Sequence, residues 1–335
     1  MFERSATRET VTIRRVAEVA GVSRATVSRV MNGHQTVDPG MVSRVRAAAE
    51  ELEYAPSPLA RSLALGRTTT IALVVPDLSN PMFQGVLRGL SHAAGIDGHR
   101  LLIAESREDV AEEPILALEA RRRCDGLVLA SPRLPDDQLA ALAERLSPLV
   151  LLNRELPGSG VPSLSVDHAA GMADIVRHLR SLGHRRLVYL AGPPASVSDA
   201  QRRRGLRESA ADDIELVELE CGSTFAAGHA SAEVAVRTAA TAIVAYNDLV
   251  AYGALSRLHE LAVAVPGEVS IVGFDDIPFA LYTTPPLTTA SVPQHELGEQ
   301  AWTRLSALLQ GRTPEHNVSF RPRLEVRGST GPAAR

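Results

Sequence analysis

Lysine is missing altogether: the chain has 335 residues and 35 basic side chains, and every one of these is arginine. That absence excludes chemistry that needs a primary amine. The phosphate-binding lysine of a P-loop, the strand lysine of a protein kinase and any Schiff-base nucleophile are all unavailable. Cysteine is nearly as scarce. Cys124 and Cys221 stand far apart and outside any C-x-x-C, which argues against a disulfide framework, a zinc site or an iron–sulfur cluster, so both read as buried apolar residues. No apolar run approaches the roughly 18 to 20 residues of a membrane span. The first residues, Met1 to Thr12, mix Glu3, Arg4, Arg8 and Glu9 with no apolar stretch, so no signal peptide is expected and the protein reads as cytoplasmic. H-E-x-x-H, G-x-S-x-G and a helix-opening G-x-G-x-x-G are also missing, which lowers the expectation of catalysis; neither metal nor cofactor is expected.

What is present is a globular composition of 45% hydrophobic and 22% charged residues, long enough for at least two domains. Charge is uneven along it. Residues 1–67 carry a net +3 and the remainder −7, together the −4 of the whole chain. A small basic head followed by an acidic body is the asymmetry expected of a polyanion-binding module, although arginines solvated on helix surfaces give the same pattern.

Helical periodicity narrows this reading. Ile13, Val16, Ala17 and Ala20 fall at i, i+3, i+4 and i+7, one face of a short helix that Gly21 ends. Ser23 is placed to cap a second helix, Arg24 to Met31, whose Val27 and Val30 pack back on the first. The second helix then presents Arg24, Thr26, Ser28 and Arg29 outward, a helix-turn-helix able to enter a major groove. A third helix begins at Asp38-Pro39 and packs through Val42, Val45, Ala49 and Leu52. The segment from Pro56 to Arg67 is too short to be a stable isolated helix and reads as a linker that folds only with a partner.

Beyond Arg67, continuous apolar runs alternate with helix-length segments. Seven are strong: Thr70–Pro76, Leu101–Glu105, Gly126–Ala130, Leu149–Asn153, Leu187–Ala191, Thr241–Tyr246 and Val269–Phe274. Weaker runs lie near Leu164, Leu216 and Thr288. Unbroken apolar runs mark parallel strands covered on both faces, so the fold class is doubly wound α/β with enough strands for two lobes. Ligands bind outside the carboxyl ends of such strands. The residues there are Asp77 with Ser79-Asn80-Pro81-Met82-Phe83, Ser131, Asn153-Arg154, Asn247-Asp248 and Asp275-Asp276. Carboxylate, amide and guanidinium groups with an aromatic face suit a polyhydroxylated ligand. The same residue types also make turns and cap helices, so their convergence, not any single one, points to a pocket.

Together these residues resemble a known family. The string Val16-Ala-Glu-Val-Ala-Gly-Val-Ser-Arg-Ala-Thr-Val-Ser-Arg-Val-Met-Asn-Gly33 and the later Pro56-Ser-Pro-Leu-Ala-Arg-Ser-Leu63 are similar to the LacI/GalR family of bacterial transcription repressors. The likeness continues in order through Ser79-Asn-Pro81, Leu190-Ala-Gly-Pro193, Arg202-Arg-Arg-Gly205, Tyr246-Asn-Asp248, Val272-Gly-Phe-Asp-Asp-Ile-Pro278 and Pro285-Pro-Leu-Thr-Thr289. The resemblance implies a homodimer that binds a pseudo-palindromic double-stranded operator through its heads. It also implies a periplasmic-binding-protein-like body holding a small-molecule effector between its lobes.

The implied domains are a flexible N-terminus at 1–12, the DNA-binding domain at 13–55, a hinge helix at 56–67, the effector-binding and dimerisation domain at 68–328, and a C-terminal tail at 329–335. On the DNA side, the implied contacts are Ser23, Arg24, Ala25, Thr26, Ser28, Arg29 and Asn32, with Leu59, Ala60 and Leu63 from the hinge; Leu63 occupies the place of an intercalating leucine. Ala25 cannot hydrogen-bond and can only touch a thymine methyl or leave room. On the effector side, the resemblance matches Phe83, Arg154, Arg202, Asn247 and Asp275, which join Asp77, Ser131 and Asn153 from the strand ends. Asn153-Arg154 and Phe274-Asp-Asp-Ile-Pro278 look more like the galactose-type regulators than the purine type, which makes a sugar the expected effector and a nucleoside or purine the alternative. Val197 stands where many relatives place a tryptophan. No leucine heptad follows the expected final strand near Leu324 to Arg327, so no tetramerising coiled coil is expected.

Two other classes compete with the regulator. One is a sugar-acting enzyme using Asp275 and Asp276, or Asp77, as acid and base; adjacent carboxylates at one strand end point apart, whereas a glycosidase needs a facing pair. The other is a sugar-binding carrier, which the helix-turn-helix opposes.

Overall fold

The computed structural model describes residues 11–31, 37–54, 66–314 and 317–334. The chain divides into two compact units, Met1–Thr68 and Thr69–Arg335. The first unit holds helices α1 (Ile13–Ala20), α2 (Arg24–Met31) and α3 (Pro39–Glu51). Gly21 ends α1 in the left-handed region at φ 64°, which lets the chain reverse within three residues. Ser23 Oγ then accepts the Thr26 N–H at 3.1 Å to open α2, and Asp38 accepts the Met41 N–H at 3.1 Å ahead of Pro39 to open α3. Among the described residues of this unit the buried side chains are Val16, Ala17, Ala20, Val27, Val30, Val45, Ala48 and Ala49. It is a small core built almost wholly from valine and alanine.

The second unit has two six-stranded sheets. In the first lobe, β1 (Thr70–Val75), β2 (Arg100–Glu105), β3 (Gly126–Ala130), β4 (Leu149–Leu152), β5 (Ser163–Val166) and β11 (Val318–Phe320) lie in the order β11-β5-β4-β3-β1-β2. In the second, β6 (Arg186–Ala191), β7 (Glu215–Glu220), β8 (Ala242–Ala245), β9 (Ser270–Asp275), β10 (Thr288–Ser291) and β12 (Arg323–Glu325) lie in the order β12-β10-β9-β8-β6-β7. All pairings are parallel except β10 with β12. The chain passes between lobes after β5, after β10 and after β11.

The inner strands read as unbroken apolar runs because both faces are covered. In β1, Ile71, Leu73 and Val75 join the core that contains Leu90 of α4 (Pro81–Ile96) and Leu305 of α11 (Gln294–Leu309), while Ala72 and Val74 join the core containing Ala117 of α5 (Glu112–Arg123) and Leu139 of α6 (Asp136–Leu146). The second sheet is flanked by α7 (His168–Ser181), α8 (Val197–Ala210), α9 (Phe225–Arg237) and α10 (Asp248–Glu260).

Residues 329–334 are ordered against the second sheet, and one feature, the burial of Cys221, departs from the sequence expectations. Ser329 is fully buried: its Oγ accepts the Thr288 N–H at 2.8 Å and donates to the Ile271 carbonyl at 2.6 Å, while His184 Nε2 lies 3.0 Å from the Gly331 carbonyl. Of the two cysteines, Cys124 is buried, which pushes its thiol up to about 11, but Cys221 is only half-buried. No helix among the described residues is long and apolar enough to cross a membrane.

Candidate functional site

Of the residues expected to meet DNA, Arg24, Ala25 and Arg29 are exposed on α2, while Thr26 and Ser28 are half-buried. The split follows the helical repeat, since Val27 and Val30 take the inner face, rotate 24, 25 and 29 outward and leave 26 and 28 at its flanks. Ser23 is committed to the cap, its hydroxyl 2.9 Å from that of Thr26. Asn32, Leu59, Ala60 and Leu63 lie outside the described residues.

In the second unit a chamber sits where strand ends of both lobes meet. Asp77, Phe83, Ser131, Asn153, Arg202 and Asp275 line it, six of the eight effector residues expected from sequence. Backbone geometry aims three of them: Ser131, Asn153 and Asp275 have φ of 48°, 53° and 113°, uncommon for residues with a Cβ, and each turns its strand end sharply. Arg202 of α8 is the centrepiece. Its guanidinium lies 3.9 Å from the Phe274 ring centre and 4.6 Å from that of Tyr246, donates to the Tyr246 carbonyl, and meets Asp275 Oδ1 at 3.3 Å. Asn80, which caps α4 from the first lobe, also bonds the Asp275 side chain across the cleft.

Burial is the largest influence on Asp275 and raises its carboxyl to about 6, against the lowering effect of Arg202 and Asn80. His168 is driven well below its ordinary value, by burial and then by the charge of Arg202, and is therefore neutral. Two buried polar atoms of the lining have no partner among the described residues, His168 Nε2 and Asn153 Oδ1. Neutral hydrogen-bonding atoms held dry and unpaired are what a hydroxyl-bearing ligand would satisfy.

Arg154 and Asn247 are not brought into the chamber. Arg154 is buried beneath the loop that follows β3, donating to the Leu134 carbonyl at 2.8 Å and to Asp136 at 2.7 Å, and it faces a wider cleft outside. Asn247 spends its whole amide on structure: Oδ1 accepts the Val250 N–H at 2.9 Å to cap α10, and Nδ2 donates to the Ser223 carbonyl at 3.0 Å. Conversely, sequence reasoning passed over Arg133, Glu108 and His168, which all line the chamber. Arg133 makes a two-bond pair with Glu108, at 2.5 and 2.8 Å, and its backbone N–H is held by the buried Glu113 at 2.8 Å. Looking three residues past the end of β3 instead of one would have found Arg133. The adjacent carboxylates Asp275 and Asp276 face different arginines, Arg202 and Arg327, the latter at 2.6 Å, so they form no facing acid–base pair.

A valine-and-alanine helix-turn-helix unit together with a two-lobed α/β unit enclosing a polar chamber defines a DNA-binding transcriptional regulator with an effector domain, and not an enzyme. Residues 12–57 match the family described as bacterial regulatory proteins, lacI family, and residues 176–330 match the periplasmic binding protein-like domain. The chain is 37% identical over 332 residues to the HTH-type transcriptional regulator GalR of Escherichia coli (strain K12), covering 95% of each chain. It is 30% identical over 308 residues to the HTH-type transcriptional repressor CytR of the same strain, covering 90% of each. Among solved structures, the lac repressor dimer bound to operator and the anti-inducer ONPF superposes with a TM-score of 0.87 at 27% identity, over 96% of this chain and 100% of that one. A complex of the transcriptional regulator CelR with cellobiose superposes at 0.70 with 29% identity, over 95% and 99%. The chain belongs to the lacI family of bacterial transcriptional regulators.

Proposed function

We propose that this regulator binds a pseudo-palindromic operator in the cytoplasm as a homodimer and that a neutral, polyhydroxylated effector, a sugar, switches its affinity from the cleft between the lobes at whose inner end the chamber residues lie. The observation that carries the effector class is the pairing of satisfied charges with unsatisfied neutral atoms. Arg202 with Asp275 and Arg133 with Glu108 cancel within the lining, while His168 Nε2 and Asn153 Oδ1 are left to meet hydroxyls. Phe83 supplies an apolar face. On DNA, Arg24 and Arg29 are the side chains long enough to take guanine O6 and N7 from an exposed face of α2, with Ala25 leaving room between them. Leu63 of the hinge would wedge the minor groove. Dimerisation is supported by Phe279, Leu281 and Tyr282, which stand 59%, 56% and 79% exposed on one short turn, more apolar surface than a solvated loop would carry. The effector acts through its differential affinity for the DNA-competent and DNA-incompetent states.

The test is fluorescence anisotropy of the full chain on DNA from upstream of its own gene, at fixed salt, with and without pentoses, hexoses and nucleosides. The expected result is tight binding to a palindromic site, changed by one sugar. Binding changed by no compound would remove the sugar assignment, and no preference over random DNA would remove the operator.

A further inference from the structure

Thr69 stands at a boundary, in a conformation that its own side chain disfavours. The two compact units part between Thr68 and Thr69, and β1 opens one residue later. Among the described residues other than glycine that have a positive φ, Thr69, at 50°, is the one with a β-branched side chain. Such a side chain crowds the backbone there, so the conformation persists only where the surroundings impose it. Packing does not impose it, because the Thr69 side chain is exposed.

Hydrogen bonds do. Asp125, the residue before β3, accepts the Thr69 N–H on Oδ2 at 2.8 Å. The Asp125 N–H donates to the Thr70 carbonyl at 2.7 Å, and the N–H of Arg100, at the start of β2, donates to the Thr69 carbonyl at 2.9 Å. Both backbone polar groups of Thr69 are thus held, one by a carboxylate and one by a neighbouring strand. Asp125 is itself braced from behind, since Arg121 of α5 donates to the Cys124 carbonyl at 2.8 Å and to the Ser147 carbonyl at 2.9 Å. The clamp ties the entry of the chain to three adjacent strands, β3, β1 and β2. At their other ends β1 and β3 lead to Asp77 and Ser131 of the chamber lining. Two short strands paired in parallel therefore run from that lining to the point where the connecting segment enters the body.

We propose that Asp125 is a positioning residue for operator binding: by holding Thr69 left-handed it fixes the direction in which the segment before β1 leaves the body, and so how the body directs the DNA-binding head. This rests on the operator reading above, adds to it the joint through which the body acts, and is independent of the sugar. Without the carboxylate, threonine returns to the extended region it prefers. Only a minor fraction of molecules then keeps the bend, and apparent operator affinity falls by that fraction. Glycine adopts positive φ about as readily as negative, so at position 69 it keeps the bend in roughly half of the molecules without any clamp.

The experiment is anisotropy titration of the full chain, at fixed salt, on DNA from upstream of its own gene and on random DNA. Asp125→Ala should weaken binding to the upstream site at least about tenfold and leave random DNA unchanged. Thr69→Pro, which sets φ at about −65° and removes the N–H, should do the same without altering Asp125, and carries the test if Asp125→Ala does not fold. Thr69→Gly alone should stay within about twofold of the parent, and Asp125→Ala with Thr69→Gly should recover to within about threefold, a rescue that a merely stabilising role for Asp125 would not give. Asp125→Ala and Thr69→Pro proteins that bind the upstream site like the parent, a double variant no better than Asp125→Ala, or equal losses on both DNAs would each overturn the clamp and leave the operator reading standing. A parent that does not prefer the upstream DNA over random removes the operator reading, and this inference with it.

Discussion

Asp275 shows burial outweighing pairing at a single side chain. Arg202 at 3.3 Å and Asn80 both favour its ionised form, yet its carboxyl is raised to about 6 because both members of the pair are buried. The native state therefore holds this proton more tightly than the unfolded chain does, and ionising Asp275 costs stability as pH rises from the unfolded value near 4 through 6. We predict that the stability difference between Asp275→Asn and the parent protein shifts in the variant's favour between pH 4 and pH 7, by up to about 3 kcal/mol, measured by urea unfolding at each pH. The cost of depriving Arg202 of its charged partner shifts this comparison only where the parent's Asp275 is ionised, so a difference that stays flat with pH would refute the assignment. The same residue shows how far side chains speak from sequence. Asp275 was legible because a strand end and the family motif point at it independently, and Arg202, inside a helix, through the family motif alone. Arg154 and Asn247 carried the same chemistry at equivalent positions, but nearby backbone acceptors and donors consume them, and no single sequence shows where those lie.

At the scale of elements, helix pairs and a terminal strap hold the lobes. The paired helices α4 and α11 touch backbone to backbone at Gly298, where a Cβ would run into the Val86 carbonyl. Gly298→Ala should cost about 1 to 3 kcal/mol, since neither helix can retreat without opening the core around Leu90 and Leu305. A lowered melting temperature checks it, and an unchanged one would show that the pair has slack. Ser329 is the corresponding point of the strap, and Ser329→Ala should cost about 1 to 3 kcal/mol by leaving the Thr288 N–H and the Ile271 carbonyl short of a partner. The inner strands of both sheets were legible because a parallel strand covered on both faces leaves an unbroken apolar run, and antiparallel β12 only through the family resemblance. β11 was not, for Val318-Ser-Phe320 is three residues with two of them exposed. The strap was not either: Gly328-Ser-Thr-Gly-Pro332 has the composition of a loose tail and is ordered by hydrogen bonds to partners distant in sequence.

At the scale of the whole molecule, charge is segregated along the chain, +3 over residues 1–67 and −7 over the rest. Long-range attraction to DNA therefore comes from the head, where Arg14, Arg15, Arg24, Arg29, Arg44 and Arg46 are all exposed. Arg14 and Arg15 are partly answered by Glu18, at 3.6 and 3.2 Å, but these pairs lie in water and are weak. Affinity for any DNA should then fall linearly in log–log form with salt, by a slope of about −0.9 for each phosphate neutralised, and the slope should be nearly the same on operator and on random DNA. The vertical gap between the two lines is the reading of bases. If Arg29 reads a guanine edge, Arg29→Ala in the full chain narrows that gap by about 1 to 3 kcal/mol and leaves both slopes in place. If it grips a phosphate instead, both lines drop together and each slope becomes shallower by about 1, with the gap intact. Anisotropy titrations on the two DNAs between about 50 and 200 mM salt, a range over which phosphate-dependent binding changes by orders of magnitude, separate these outcomes, and the second would move Arg29 from sequence recognition to anchoring.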